Sequence, residues 1–333
     1  MNRRKFIRKG SHAGIALSVL GMYACKEGKK MKPEATEAGE DMKEITPFFK
    51  FSLAQWSLHK MIFDDGVDPY TFAERAKNMG FSGLEYVSQL YYKELEPAGF
   101  SEEAMTGFVE KSNAEAKKHG LRNVLIMVDG QGNLASSDAA ERGEAVENHH
   151  KWVDAAAAMG CHAIRVNLSG SEQQEEWVSN SVSALKQLAT YAAGKNINVL
   201  VENHGGLSSN AQLLAGVMEQ VNLANCGTLP DFGNFCVRRE RPDDWSSPCA
   251  EKYDIYQGVK ELMPYAKAVS AKTHEFDAEG NETEIDYTRM LGIVKDAGYT
   301  GFIGVEYEGE GLSEEAGILA TKNLMLKAVR ELA

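Results

Sequence analysis

Short apolar runs of strand length recur along the chain, and segments with helical spacing separate them. Apolar runs bounded by polar or glycine-containing turns are typical of buried β-strands. We therefore predict eight strands. The candidate strands are residues 51–56, 83–87, 122–128, 163–167, 198–203, 227–231, 268–273 and 302–306.

The segments between these strands favour helices. Residues 70–80, 144–160, 181–194 and 287–298 each show helical spacing and end at a glycine, which is a common helix terminator. Eight strands alternating with helices predict an α/β protein with a (β/α)₈ TIM-barrel fold. The alternative is an open doubly wound sheet. That fold usually carries a glycine-rich phosphate turn after its first strand, and residues 55–59 contain none.

The N-terminal residues have the layout of an export signal. A basic segment containing Arg3 and Arg4 precedes a short apolar core at residues 15–20, and Ala24 comes just before Cys25. This pattern predicts that residues 1–25 are a signal peptide of the twin-arginine type with a lipobox cysteine. We expect Cys25 to be the lipidated residue, and the protein to be exported as a periplasmic or membrane-anchored lipoprotein. A plain N-terminal anchor is the alternative.

Composition then separates a tether from a folded domain. Residues 26–46 are rich in Lys, Glu and Gly and almost free of large apolar side chains, which predicts a flexible tether. Residues 47–333 are long enough for one TIM-barrel catalytic domain. The net charge of −12 argues against a nucleic-acid partner, because phosphate binding needs a basic face.

The cysteines of the folded domain lack the paired spacing of a zinc site. Cys161 and Cys226 lie beside predicted strands and are expected to be small buried apolar residues. Cys236 and Cys249 can form a disulfide in an oxidising compartment, although their spacing does not require it.

Three carboxylates follow predicted strands. Glu202 and Glu306 each end an apolar strand just before a glycine-containing loop, and Asp231 ends a third strand. In a parallel barrel the loops after the strands converge at one rim, so we expect these side chains to lie together. His274, just past the seventh strand, is the candidate fourth ligand. Such a set suits one divalent ion of Mn, Mg, Co or Zn, with open positions for a substrate.

Other polar residues are expected around the same rim. Arg165, Lys272, His204, Glu85 and His59 are the candidate substrate-binding residues. Burying a guanidinium is costly unless it is paired, which favours a pocket role for Arg165. His204 shares the strand face of Glu202, and its alternative role is a supporting hydrogen bond.

This set of residues resembles the sugar phosphate isomerase/epimerase superfamily, whose members have a xylose-isomerase-like barrel and include ketose 3-epimerases. The resemblance covers nearly the whole chain after the tether. It implies that Glu202, Asp231 and Glu306 bind one metal ion, and that Glu202 and Glu306 are also the catalytic proton shuttle. Two positions depart from the family pattern. Ser270 stands where the family has a metal-binding histidine, and Asn234 stands where a further histidine is common.

The resemblance implies a divalent-metal-dependent sugar isomerase or epimerase that acts by proton abstraction through an enediolate. The expected partner is a small carbohydrate, besides the membrane contact through the lipid anchor. A keto-glycoside lyase or hydratase of the same barrel family is one alternative. A non-catalytic carbohydrate-binding lipoprotein is the other, but sugar binding alone does not need three converging carboxylates.

The signal-peptide prediction can be tested on the native protein. We expect the mature chain to begin at acylated Cys25 and to partition with membranes, and Cys25→Ser to release it, because a lipid chain supplies most of such an anchor. Intact mass and membrane fractionation measure this. An unmodified chain that begins at Met1 would contradict the prediction.

Overall fold

The computed structural model describes residues 46–333, except 242, 243 and 245. The predicted signal peptide with Cys25, and the tether up to residue 45, lie outside the described residues. Eight strands form one parallel sheet, and two more form a small antiparallel hairpin. The sheet strands are β1 Lys50–Ala54, β2 Gly83–Val87, β3 Arg122–Met127, β4 Ala163–Val166, β5 Asn198–Glu202, β6 Cys226–Leu229, β9 Val269–Thr273 and β10 Phe302–Tyr307, and the hairpin strands are β7 Cys236–Arg239 and β8 Cys249–Lys252.

The strand order is that of a barrel. The hydrogen-bonded order is β6-β5-β4-β3-β2-β1-β10-β9, and every neighbouring pair is parallel. Isolated parallel bridges then join the two edge strands, one of them between Asp231 and Ser270. There the Ser270 N–H donates to the Pro230 carbonyl at 2.9 Å. The predicted (β/α)₈ TIM barrel is therefore confirmed.

Helices follow the strands and bury apolar stripes against the sheet. The longest helices span residues 102–119, 139–158, 174–193 and 314–331. Side-chain caps such as Asp138 and Ser313 accept hydrogen bonds from first-turn N–H groups. The helices are α1 His59–Phe63, α2 Phe72–Asn78, α3 Tyr92–Leu95, α4 Glu102–His119, α5 Ala139–Ala158, α6 Gln174–Ala193, α7 Ala211–Val221, α8 Ile255–Leu262, α9 Tyr287–Asp296 and α10 Glu314–Glu331. Within the described ranges, no helix is both long and apolar enough to cross a membrane.

Most strand boundaries differ from the predicted ones by one or two residues. The first predicted strand stops early because residues Gln55–Leu58 turn into a 3₁₀ helix. The sixth ends at Leu229, before Pro230, which has no N–H for the sheet ladder. Asp231 is consequently held by a single bridge rather than by a regular strand. Regular strand geometry is thus interrupted at the edge where polar side chains gather.

A disulfide joins Cys236 to Cys249 across the β7–β8 hairpin. The pairing that the sequence allowed is therefore present. Cys161 is buried and Cys226 is half-buried, and both are free thiols, as expected for small apolar positions. The hairpin itself was not predicted. It lies in the connection after β6, on the side of the barrel where the strands end.

Candidate active site at the carboxyl ends of the strands

Glu202, Asp231 and Glu306 converge at one end of the barrel. Each offers a carboxylate oxygen, and these oxygens all lie within 4.8 Å of one another. Glu202 ends β5, Glu306 lies in β10, and Asp231 lies two residues beyond the end of β6. All three side chains are buried. Parallel strands deliver their ends to one rim, so residues far apart in sequence meet there.

Ser270 links two of these carboxyl groups. Its hydroxyl oxygen lies 2.6 Å from Oδ2 of Asp231 and 2.8 Å from Oε2 of Glu306. A hydroxyl has one proton to donate and can accept others. If Ser270 donates to Asp231, a protonated Glu306 can donate to Ser270. The hydroxyl therefore suits a pair of carboxyl groups that hold a proton between them.

The ammonium group of Lys272 lies among the carboxylates. Its Nζ is 3.0 Å from Oε1 of Glu308, 3.6 Å from Oε1 of Glu306 and 3.9 Å from Oδ2 of Asp231. The side chain is buried. Burial alone would lower the pKa of Lys272, but these carboxylates outweigh it and raise the pKa above its ordinary value. The surrounding carboxylates therefore favour the charged form of Lys272.

The carboxyl groups around Lys272 respond differently. Burial is the largest influence on Glu306 and raises its pKa to about 8, against the opposing effect of Lys272. Burial also raises the pKa of Asp231. At Glu308, burial is outweighed by the direct hydrogen bond and charge of Lys272, and its pKa falls to about 2. One cation thus favours the ionised form of Glu308, while burial favours the protonated form of Glu306.

Arg165 supplies the second buried positive charge. Its Nε lies 2.8 Å from Oε2 of Glu202, and its Nη1 lies 2.7 Å from Oδ1 of Asp129. The Nδ2 of Asn234 donates to the other oxygen of Glu202 at 3.0 Å. The predicted pocket residue Arg165 therefore contacts Glu202 directly and holds its carboxylate in place.

His274 does not join the carboxylates. Strand β9 ends at Thr273, so the alternation that places Ser270 and Lys272 inside the barrel stops before His274, which is exposed. The predicted fourth ligand is consequently away from the cluster. Strand β9 instead contributes the hydroxyl group of Ser270 and the ammonium group of Lys272.

Glu85 lies below the rim rather than in an open pocket. Its Oε1 accepts a 2.6 Å hydrogen bond from the Ser52 hydroxyl, and its Oε2 is buried without a hydrogen-bond partner in the part of the chain that the structure describes. A Cβ atom at Gly304 would lie only 2.4 Å from that oxygen, so the glycine makes room for the carboxyl group. Gly304 is two residues before Glu306 on the same strand face, which places Glu85 one side-chain layer deeper. The substrate role predicted for Glu85 does not fit this enclosed position.

The two candidate histidines occupy different places. His59 is stacked on Trp56, and its Nδ1 lies 2.6 Å from the Trp56 carbonyl and 3.8 Å from Glu314 at the start of α10. It is thus tied to the first loop and lies outside the carboxylate cluster. His204 is half-buried just beyond β5 and lines a cleft next to the cluster.

The donor set fits a hard divalent cation. Three carboxylates and the Ser270 hydroxyl offer oxygen ligands, which Mg²⁺ and Mn²⁺ prefer. Two features compete with such an ion. Lys272 already lies close to two of the carboxylates, and Glu306 must lose its proton before it can bind a metal. We therefore expect the affinity for a divalent ion to depend on pH and on Lys272.

The sequence profile of the family described as the xylose isomerase-like TIM barrel matches residues 73–328. The chain belongs to this family. The assignment agrees with the fold and with the resemblance carried by the strand-end carboxylates.

Solved structures with the same fold are distant in sequence. The 3-keto-D-glucoside 4-epimerase from E. coli superposes with a TM-score of 0.59 at 15% identity, over 84% of this chain and 99% of that chain. The IOLI protein, whose structure is described with a binding zinc atom, gives a TM-score of 0.61 at 14% identity over 85% of this chain and 99% of that chain. At these identities the similarity establishes the fold alone.

A curated relative gives a short match. The 3'-dehydrocarminate deglycosidase alpha subunit from Microbacterium sp. is 33% identical over 70 residues, which is 21% of this chain. The match spans only 16% of the relative's length. The relative's activity therefore bears on this chain only as a proposal.

Three residues that complete the site were not predicted from the sequence. Glu308 pairs with Lys272, Asp129 pairs with Arg165, and Asn234 donates to Glu202. Glu308 had a usable signal, because it follows Glu306 by two residues and so shares its strand face. Asp129 and Asn234 lie in loops, where spacing does not reveal the direction of a side chain.

Replacing Lys272 by methionine should increase the affinity for Mn²⁺ by about tenfold or more, because it removes a unit charge within 4 Å of two carboxylates. Without metal, the variant should unfold at a lower temperature than wild type, because the carboxylates lose their counter-charge. Calorimetric titration and thermal unfolding with and without Mn²⁺ measure both effects. Lys252→Met removes an exposed ion pair with Glu284 and is the matched control. An unchanged Mn²⁺ affinity in Lys272→Met would contradict the interpretation.

Glu85→Gln should change how stability depends on pH. Burial raises the pKa of Glu85 from about 4.5 to about 7, so its contribution is fully present below the lower value and is lost as pH rises through the higher one. The variant should therefore gain up to about 3 kcal/mol relative to wild type between acidic and alkaline pH. Urea unfolding at several pH values measures this. Glu74→Gln, at an exposed position of α2, should show no such trend.

Proposed function

We propose that this protein is a divalent-metal-dependent sugar isomerase or epimerase that moves a proton at a carbon next to a carbonyl. The observation that carries the proposal is the convergence of Glu202, Asp231 and Glu306 beside two buried cations. Two carboxylate side chains that face one substrate carbon can remove a proton from it and return a proton to it. Adjacent cations stabilise the negative charge that proton loss creates.

The chain's own residues divide the work. Glu202, fixed by Arg165 and Asn234, and Glu306, fixed by Ser270, are the two acid–base groups. One removes the proton, and the other returns it to the opposite face of the resulting enediolate. A divalent ion held by Glu202, Asp231 and Glu306 would polarise the substrate carbonyl.

Two buried cations lie beside these acid–base groups. Lys272 is buried among three carboxylates, and Arg165 bridges Glu202 and Asp129. In a buried site such groups act on developing negative charge without first having to reorganise.

A keto-glycoside lyase is the second candidate. Removal of the same proton next to a carbonyl leads to elimination when a leaving group stands on the adjacent carbon. The support is the similarity to a protein named as a dehydrocarminate deglycosidase, together with the fold shared with a 3-keto-D-glucoside epimerase. A carbohydrate-binding protein without catalysis would not need several buried carboxylates, because burying charge is costly.

We also propose that the protein is exported and lipid-anchored. The support is the sequence pattern of Arg3, Arg4, the apolar core and Cys25. The Cys236–Cys249 disulfide agrees with this proposal, since such bonds persist in oxidising compartments.

Glu202→Gln and Glu306→Gln should each lower kcat by roughly 10²–10⁴-fold, which is the usual contribution of general acid–base catalysis. The assay incubates Mn²⁺-loaded protein with a panel of ketoses and 3-keto-glycosides in deuterated water. Mass spectrometry then detects deuterium at the carbon next to the carbonyl, and distinguishes isomerisation from cleavage.

The matched control is Glu310→Gln. Glu310 is an exposed glutamate just after β10, and it is paired with Lys60. The variant should retain wild-type rates. The metal content of each variant is measured, because loss of the ion would also lower activity. Near-normal turnover in both Glu202→Gln and Glu306→Gln, with no deuterium in the product, would refute proton transfer by this pair.

A further inference from the structure

A cleft of about 690 Å³ opens beside the carboxylate cluster. The connections after β4 and β5 form two of its walls, and the disulfide-linked hairpin forms the third. Proteins use cavities of this size for whole drug-sized ligands, so the cleft exceeds what a single sugar ring needs. The site at the carboxylates and the cleft beside it together offer space for more than one ring.

The cleft adjoins the candidate active site through Asn167 and His204, which both line it. Asn167 lies two residues after Arg165, and His204 lies two residues after Glu202, the carboxylate that pairs with Arg165. The Asn167 Nδ2 donates to Asp129 at 2.7 Å, and Asp129 is paired with Arg165. A molecule whose reacting carbon lies at Glu202 would therefore extend past Asn167 into the cleft.

Asn167 also presents an unused acceptor. Its Oδ1 is buried and has no hydrogen-bond partner among the described residues. A buried polar atom without a partner costs free energy unless a ligand or water satisfies it. A sugar hydroxyl is a suitable donor for this oxygen.

The rest of the lining suits a neutral polyol. Serine hydroxyl groups at Ser169 and Ser171 alternate with apolar side chains such as Leu207 and Val237, a mixture typical of pockets with a few polar contacts. Two arginines and two glutamates also line the cleft, so the charges of its walls balance: Arg238, Arg239, Glu172 and Glu251. Of these, Arg238 lies 3.6 Å from Glu251 across the hairpin. These walls therefore favour an uncharged ligand over a phosphorylated one.

The hairpin wall is fixed to the barrel. The Asn234 carbonyl, at the base of the hairpin, accepts hydrogen bonds from Asn203 at 3.1 Å and Ser209 at 2.7 Å. The Cys236–Cys249 disulfide joins its two strands. A binding wall held in this way loses little conformational entropy when a ligand binds.

We propose that this cleft binds the second unit of an uncharged glycoside, the sugar or aglycone attached to the ring that reacts at the carboxylates. The inference rests on the proposed function, which places the reacting ring at Glu202 and Glu306. It selects a glycoside, such as a disaccharide, over a free monosaccharide as the substrate class.

The test fills the cleft from the hairpin side. Val237→Trp places a large side chain into the lining, and Ala250→Trp places one on the same hairpin outside it. Binding of glucose, methyl β-glucoside, maltose and cellobiose to each protein is measured by saturation-transfer NMR and calorimetry. We expect wild type and Ala250→Trp to bind at least one disaccharide through both rings, and more tightly than glucose. Val237→Trp should lose about tenfold or more of the disaccharide affinity but keep that for glucose.

Three outcomes overturn the inference. They are equal disaccharide affinity in Val237→Trp and wild type, contact with only one ring, and no glycoside bound more tightly than its free sugar. Thermal unfolding confirms that both tryptophan variants fold. These binding measurements need no turnover, so they separate the inference from the proposed function. Deuterium exchange with free ketoses tests the function alone.

Discussion

The structure depends on balancing several carboxylates buried at one end of the barrel. Glu202, Asp231, Glu306 and Glu308 lie close together there, and burying like charges is unfavourable unless cations or protons compensate them. Lys272 and Arg165 are the cations, and the raised pKa of Glu306 favours its protonated, uncharged form. The same balance that permits burial yields groups that can give and accept protons.

The barrel seam positions this charge network. Between β6 and β9 the regular ladder gives way to isolated bridges, one of which joins Asp231 to Ser270. Pro230 removes a donor from that ladder, and the residues on either side of the seam turn their polar side chains toward the carboxylates. The region where regular strand pairing is weakest is thus the region where the hydroxyl, the ammonium group and the carboxylates meet.

The fold assigns different tasks to the parts of the site. The strands hold the charged groups in fixed positions, and the connections after β4, β5 and β6 shape the adjoining cleft. Strand ends are the more rigid support, whereas loops vary in length and composition without disturbing the barrel. In the proposed function, the strand-end residues would therefore carry out the reaction, and the loops and the disulfide-closed hairpin would set the size of the substrate.

The sequence by itself determined the barrel and the three strand-end carboxylates, because apolar runs and period-two alternation are local signals. The sequence did not reveal that His274 lies past the end of β9, away from the carboxylates. It also did not reveal that Glu85 lies one side-chain layer below the rim. Strand alternation also placed Lys272 at this rim, but only the tertiary structure decided that its ammonium group lies within 4 Å of three carboxylates and that their pKa values separate. Those properties depend on burial and on distances between distant strands, which no local pattern encodes.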